Sequence, residues 1–161
     1  MAADMFIKVG TFDGESKDEK HPKWIDILAW SWGLSNSGSA HVGGGAGAGK
    51  ANVQDLSFTK YVDSSSHNLI KSAASGKHVD KVNLVVRKAG GDKTVEYIKI
   101  ELTEVLISSV STGGSGGEDR LTENVSLNFA KIKFEYTPQD DKGKGGTALP
   151  VTIDIAMNKI A

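Results

Sequence analysis

No cysteine occurs among the 161 residues. That removes disulfide scaffolds, thiol nucleophiles and thiolate metal sites. It leaves the compartment open, since a chain without thiols tolerates reducing and oxidising surroundings alike. Proline numbers only 3, which excludes collagen-like repeats and Pro-rich linkers. No run approaches the ~20 apolar residues of a membrane-spanning helix, so no membrane insertion is expected. Neither sign of charge prevails: 19 Lys and Arg face 20 Asp and Glu, a formal net charge of −1. Proteins that grip nucleic acid or anionic membranes carry a basic excess, so a nucleic-acid partner is not expected. Residues 1–10 show no basic segment followed by a long apolar run. A cleaved leader is therefore not expected. A cytoplasmic protein fits, and so does one exported by a route that reads something else.

Glycine is the residue in excess, with 19 in 161 against an average of roughly 7%. The glycines cluster at residues 43–49, 113–117 and 143–146. Apolar residues make up 39% of the chain, enough for one core. The length predicts one domain, spanning residues 1–161.

The dominant hydrophobic period is 2, the signature of strands. Met5, Ile7 and Val9 alternate with Phe6 and Lys8. Residues 24–32 alternate as well, with Ile25, Ile27 and Ala29 on one side. Trp24, Asp26, Leu28, Trp30 and Trp32 take the other. All three tryptophans lie here, and core anchoring is the expected use of such large side chains. Residues 53–61 read as a strand with Leu56 and Phe58 on one face. Further strands are expected at 82–87, 95–111, 125–136 and 151–157. In 95–111, Ile98, Ile100, Leu102 and Leu106 are expected on one face and Val105 on the other. In 125–136 the apolar set changes parity between Phe129 and Ala130, which requires a bulge or a bend. Ala89-Gly90-Gly91-Asp92 carries hairpin-turn chemistry.

One helix interrupts the strands. Asp63-Ser64-Ser65 can supply its N-cap, Leu69, Ile70, Ala73 and Ala74 form its apolar stripe, and Gly76 stands where a C′ residue belongs. Long bent strands turn corners between packed sheets. The expected fold is mainly β: a small antiparallel barrel or tight two-sheet sandwich with one flanking α-helix. No βαβ alternation occurs, which disfavours a parallel nucleotide-binding sheet.

The chemical motifs fail on inspection. Residues 44–50 read G-x-x-x-x-G-K, but Ala51 stands where a Mg²⁺-binding hydroxyl is needed, and no helix is expected to follow. A Gly-rich loop is the plainer reading. Gly113-Gly114-Ser115-Gly116-Gly117 matches G-x-S-x-G, yet no histidine lies downstream and a strand follows. Ser57-Phe58-Thr59-Lys60 matches S-x-x-K without its companion motifs. His21, His41, His67 and His78 form no metal-ligand pair by spacing. Glu118-Asp119 and Asp140-Asp141 read as solvated loop residues. No catalytic residue, metal or cofactor is therefore assigned, and a binding or assembly module remains.

Three blocks carry a resemblance. They are Ile25-Asp26-Ile27-Leu28-Ala29-Trp30-Ser31-Trp32-Gly33, then Val53-Gln54-Asp55-Leu56-Ser57-Phe58-Thr59-Lys60-Tyr61 with Asn68-Leu69 beyond it, and residues 105–129 with their Gly113-Gly114-Ser115-Gly116-Gly117. In this order they resemble the haemolysin-coregulated protein (Hcp) family of type VI secretion systems. The resemblance implies a β-barrel that assembles as a homohexameric ring. Rings stack into the inner tube of a contractile injection machine. A contracting sheath expels that tube behind a spike, and the lumen receives and protects effector proteins. The chain ends near the last expected strand, so the plain form without a toxin domain is expected. Residues after Pro138 are given no role.

Within that frame Ser31 is expected at the lumen, touching cargo, with Asn124, Ser126 and Asn128 in a polar wall. Gly43, Gly44, Gly45, Gly47, Gly49, Lys50 and Asn52 are expected to pack on a neighbouring subunit or ring, because glycine lets backbones approach closely. The alternative is a monomeric ligand-binding β-domain without catalytic activity.

Overall fold

The computed structural model describes residues 3–36, 51–88, 94–139 and 145–161. Within them the strands are β1 (Ala3–Val9), β2 (Ile25–Ser31), β3 (Leu34–Asn36), β4 (Ala51–Val53) and β5 (Leu56–Tyr61). Helix α1 (Ser66–Ser75) follows, then β6 (Val79–Lys88), β7 (Glu96–Thr112), β8 (Thr122–Tyr136), β9 (Leu149–Asp154) and β10 (Lys159–Ile160).

The main sheet runs β10-β9-β8-β5-β2-β1-β6-β7, and β7 pairs back onto β8. Six strands therefore close an antiparallel barrel, as the alternating sequence predicts. β8 is the hinge of the closure. One edge pairs with β7 along nearly its whole length. The other is shared: β5 takes residues 122–127 and β9 takes residues 131–136. β3 and β4 form a separate two-stranded arm, so residues 53–61 are two strands rather than one. The interior holds Ile7, Ile25, Leu56, Phe58, Leu84, Ile100, Leu102, Ile107, Leu127 and Ile132, each at most 2% exposed.

The parity change is a corner. Inward residues on β8 switch from Phe129 to Ile132, and on the paired β7 from Val105 to Leu102. Glu104 sits between them in the left-handed region at φ 53°. Val105 consequently points inward and is fully buried, contrary to the simple alternation. A bulge in β7 at Ser108 follows and increases the local twist.

β2 also departs from alternation. A bulge between Ile27 and Ala29 shifts its register against β5. Ile25 and Ile27 face in, but Ala29 turns outward. Trp30 and Trp32 are half-buried and pack on the core. Trp24 instead packs on the buried His21 ring, with centroids 4.5 Å apart.

α1 buries Ser66, Leu69 and Ser72. Ala73 is half-buried, whereas Ile70 is 46% exposed and Ala74 also faces water. The stripe is thus rotated from the expected one toward polar residues. Gly76 ends the helix at φ 69°, its N–H bonded to the Ser72 carbonyl, a conformation that costs glycine no Cβ clash. The last expected strand stops at Asp154. Residues 155–158 turn back into β10, leaving Met157 and Ile160 71% and 72% exposed.

Candidate functional site: a neutral polar face

β2, β5, β8 and the end of β7 present one outer surface. Two cross-strand rows order it. Ser31 pairs with Ser57, Ser57 with Ser126, and Ser126 with Ser109. In the next row Ala29 pairs with Thr59, Thr59 with Asn124, and Asn124 with Ser111. Alternation places these small side chains outward because Leu56, Phe58, Val125 and Leu127 between them face the core. The rows are knit laterally. The Ser57 and Ser126 hydroxyls are hydrogen-bonded at 3.0 Å, and Thr59 Oγ1 donates to Asn124 Oδ1 at 2.7 Å. Thr59 thereby occupies the Asn124 carbonyl oxygen. A shallow cavity of about 250 Å³ lies over Ala29, Ser31, Ser57, Thr59 and Asn124.

The Asp55 carboxylate borders the face and is satisfied. Asp55 accepts from Ser108 Oγ at 2.8 Å and from Asn128 Nδ2 at 2.9 Å. The two central rows of the face carry hydrogen-bonding groups and no charged side chain.

Beneath it lies the opposite chemistry. Lys60 and Glu123, register partners on β5 and β8, are 0% and 1% exposed. Lys60 Nζ lies 2.7 Å from Glu123 Oε1, 3.0 Å from Asp63 Oδ1 and 3.0 Å from Ser66 Oγ. Ser66 also bonds Glu123. A buried pair like this balances desolvation only as far as its hydrogen bonds are made; the α1 N-terminus supplies them to Lys60 and to Glu123 Oε1, while Glu123 Oε2 is left without a partner. That explains why the helix buries Ser66.

The side of the face nearest the β7–β8 hairpin is charged. Arg120 lies over the Tyr61 ring at 3.7 Å. Burial pushes the Asp26 carboxyl above its usual range, with the Asp63 charge adding to it. On the opposite wall, the Arg87 guanidinium beside Asp18 holds that carboxyl below its usual range. Arg87 Nη1 donates to Asp18 at 3.0 Å and thereby ties the loop after β1 onto β6.

The structure brings Ser31, Asn124, Ser126 and Asn128 onto this one surface. Ser31 is exposed while Trp30 and Trp32 pack on the core. Ser57, Thr59, Ser109 and Ser111 belong to the same surface and were missed. For β5 the signal was present, since Leu56 and Phe58 facing in require Ser57 and Thr59 to face out. Asn52 is exposed in β4, paired with Ser35. Gly43, Gly44, Gly45, Gly47, Gly49, Lys50 and the 89–92 turn lie outside the described residues. Ser115 sits in an exposed loop between two strands, with no helix after it. His21 is buried, its Nε2 2.7 Å from Glu96 Oε1.

The fold is a closed antiparallel β-barrel displaying a hydrogen-bonding face. Residues 6–136 match the family described as "Type VI secretion system effector, Hcp". The chain is 64% identical to Protein hcp1 of Pseudomonas aeruginosa, over 98% of each chain. A solved type six secretion system protein superposes with a TM-score of 0.93 at 34% identity, covering 99% of this chain and 100% of that one. Hcp1 from Salmonella typhimurium gives 0.81 at 36% identity, with full coverage of both chains. This chain belongs to the Hcp family of type VI secretion systems.

Proposed function

We propose that this chain is a structural subunit of a type VI secretion tube. Six copies close into a ring, and rings stack into a hollow tube. A contracting sheath expels that tube behind its spike. The neutral face lines the bore, where Ser31, Asn124, Ser126 and Asn128 contact effector proteins and shield them until export. The segment carrying Gly43, Gly44, Gly45, Gly47, Gly49, Lys50 and Asn52 packs on a neighbouring subunit or ring. The subunit resides in the cytoplasm before firing and outside the cell afterwards. Its contribution is shape and containment rather than bond breaking.

The observation that supports this reading is the four-strand face of small hydroxyl and amide side chains, whose two central rows carry no charge. A bore wall must hold cargo and also let it go. Hydrogen-bonding groups already satisfied by one another do this without the desolvation cost of a buried charge. Ring closure needs a heterologous contact, one surface against a different one, and a barrel with distinct faces can provide it.

Substituting Ser31→Trp tests the reading. Rings are expected to persist in negative-stain images while effector accumulation in the same cells falls. Undiminished effector beside intact rings would refute the bore assignment. A lone globule at every concentration of the unaltered protein would refute the ring and favour the monomeric domain.

A further inference from the structure

Asp55 stands just before β5, one step beyond the Leu56–Leu127 pair, so its place in the register is opposite Asn128. The backbone there is fixed on both sides. Gln54 N–H donates to the Gly33 carbonyl at 2.9 Å, and Leu56 begins the ladder with β8. The side chain reaches across β8 to β7. Its Oδ1 accepts from the Asn128 amide nitrogen at 2.9 Å, and its Oδ2 accepts from the Ser108 hydroxyl at 2.8 Å. Ser108 lies at the β7 bulge, so one carboxylate ties β8 and the bulge to the start of β5. A carboxylate only accepts hydrogen bonds. The Asn128 carboxamide must therefore turn its nitrogen toward Asp55, and its orientation is set by chemistry as well as by distance. The Asn128 carbonyl oxygen has no donor among the described residues, and Asn128 is exposed on the face.

We infer that Asp55 is a positioning residue for cargo: it holds Asn128 so that the carboxamide oxygen accepts an N–H or O–H from an effector. The inference rests on the bore reading of the neutral face. Both Asp55 oxygens are taken up within the wall, so Asp55 acts through Asn128 and does not itself meet cargo. A free carboxamide turns between two orientations about its last bond, one presenting donors and the other an acceptor. Held in one of them, it loses less freedom on binding and offers the same acceptor in every subunit. The Ser108 arm secures the bulge and is not needed for the orientation of Asn128.

The test uses the full chain purified as rings, and the probe is a fluorescently tagged effector protein of the same secretion system. Asp55→Ala is expected to leave rings intact and to lower effector retention about fivefold, the size of one net hydrogen bond. Asp55→Asn is expected to keep most of the retention. Its side-chain oxygen can still accept from Asn128, and the Ser108 hydroxyl can turn to accept instead of donate. Asn128→Ala is expected to lose as much as Asp55→Ala, and the double variant no more than either, because both remove the same contact. Ser108→Ala leaves the Asn128 bond in place and is expected to keep retention. Normal retention by Asp55→Ala rings, losses that add in the double variant, or equal loss in Asp55→Asn overturns the assignment. So does loss of rings in Asp55→Ala, which would make Asp55 a residue of the fold alone. Unaltered rings that retain no effector would sink the bore reading instead, so the two failures are distinct.

Discussion

Lys60 and Glu123 face each other across β5 and β8 inside the barrel, 2.7 Å apart, while their chain neighbours Thr59 and Asn124 are bonded to each other on the outside. The buried ion pair and the neutral surface are thus fixed by the same register. A slip of one residue would turn the charges out and the hydroxyls in.

Breaking that pair from one side leaves an uncompensated buried charge. Lys60→Met is expected to cost about 3–5 kcal/mol in urea unfolding. The double variant Lys60→Met/Glu123→Leu is expected to regain most of the loss, because apolar replacement of both partners is often neutral. A double variant no more stable than the single would show that the pair does more than cancel its own desolvation.

The Asp18–Arg87 contact carries a pH dependence. The folded-state carboxyl is held low by Arg87, so its stabilisation is present above the unfolded value of about 3.9. It is lost as pH falls through the lower folded value. Asp18→Asn is expected to lower the melting temperature at pH 7 and to make little difference at pH 2. Asp26 has the opposite sign. Its raised folded value makes the charged form a penalty above pH ~4. Asp26→Asn is expected to raise the melting temperature at pH 7 and not at pH 3.

On the proposed function, effector held on the central rows of the neutral face would meet no ion pair. Retention on purified rings is expected to change less than about twofold between 50 and 500 mM NaCl, a range that screens exposed charges strongly. A steep fall with salt would place cargo on another surface.

The close of α1 depends on a residue without a side chain. Gly76→Ala is expected to cost about 1 kcal/mol, since φ 69° strains any Cβ-bearing residue. Thermal unfolding reads this directly, and an unchanged melting temperature would show that the helix end relaxes.

Strand identity was legible because a period of 2 survives wherever one side of a strand is dry. It blurred where both sides are apolar. Ile27, Leu28 and Ala29 give no polar marker from which to place the β2 bulge. The corner in β7 was masked in the same way: Val105 and Leu106 are both apolar, and only the left-handed Glu104 decides which turns in. The α1 stripe was misplaced for a different reason. Ser66 is buried by bonds to Lys60 on β5 and to Glu123, 57 positions away, and helical spacing carries no information about such partners. Asn124 and Ser126 were readable as outward residues from Val125 and Leu127, whereas Ser31 shares the parity of the inward Ile25 and Ile27 and faces out through the β2 bulge. That four strands set them side by side depends on barrel closure, which follows from pairing rather than from any local pattern.

β8 meets β7, β5 and β9, yet it emerges from the ribosome only after residues 1–121. Until then β5, paired with β2, and β7, paired with β6, each keep one edge unpaired, and the nascent chain is an open, adhesive sheet. Sealing of the cylinder is therefore a late, all-at-once event. A synthesis stall in the glycines at 113–117 would expose apolar interior to every other unfinished copy.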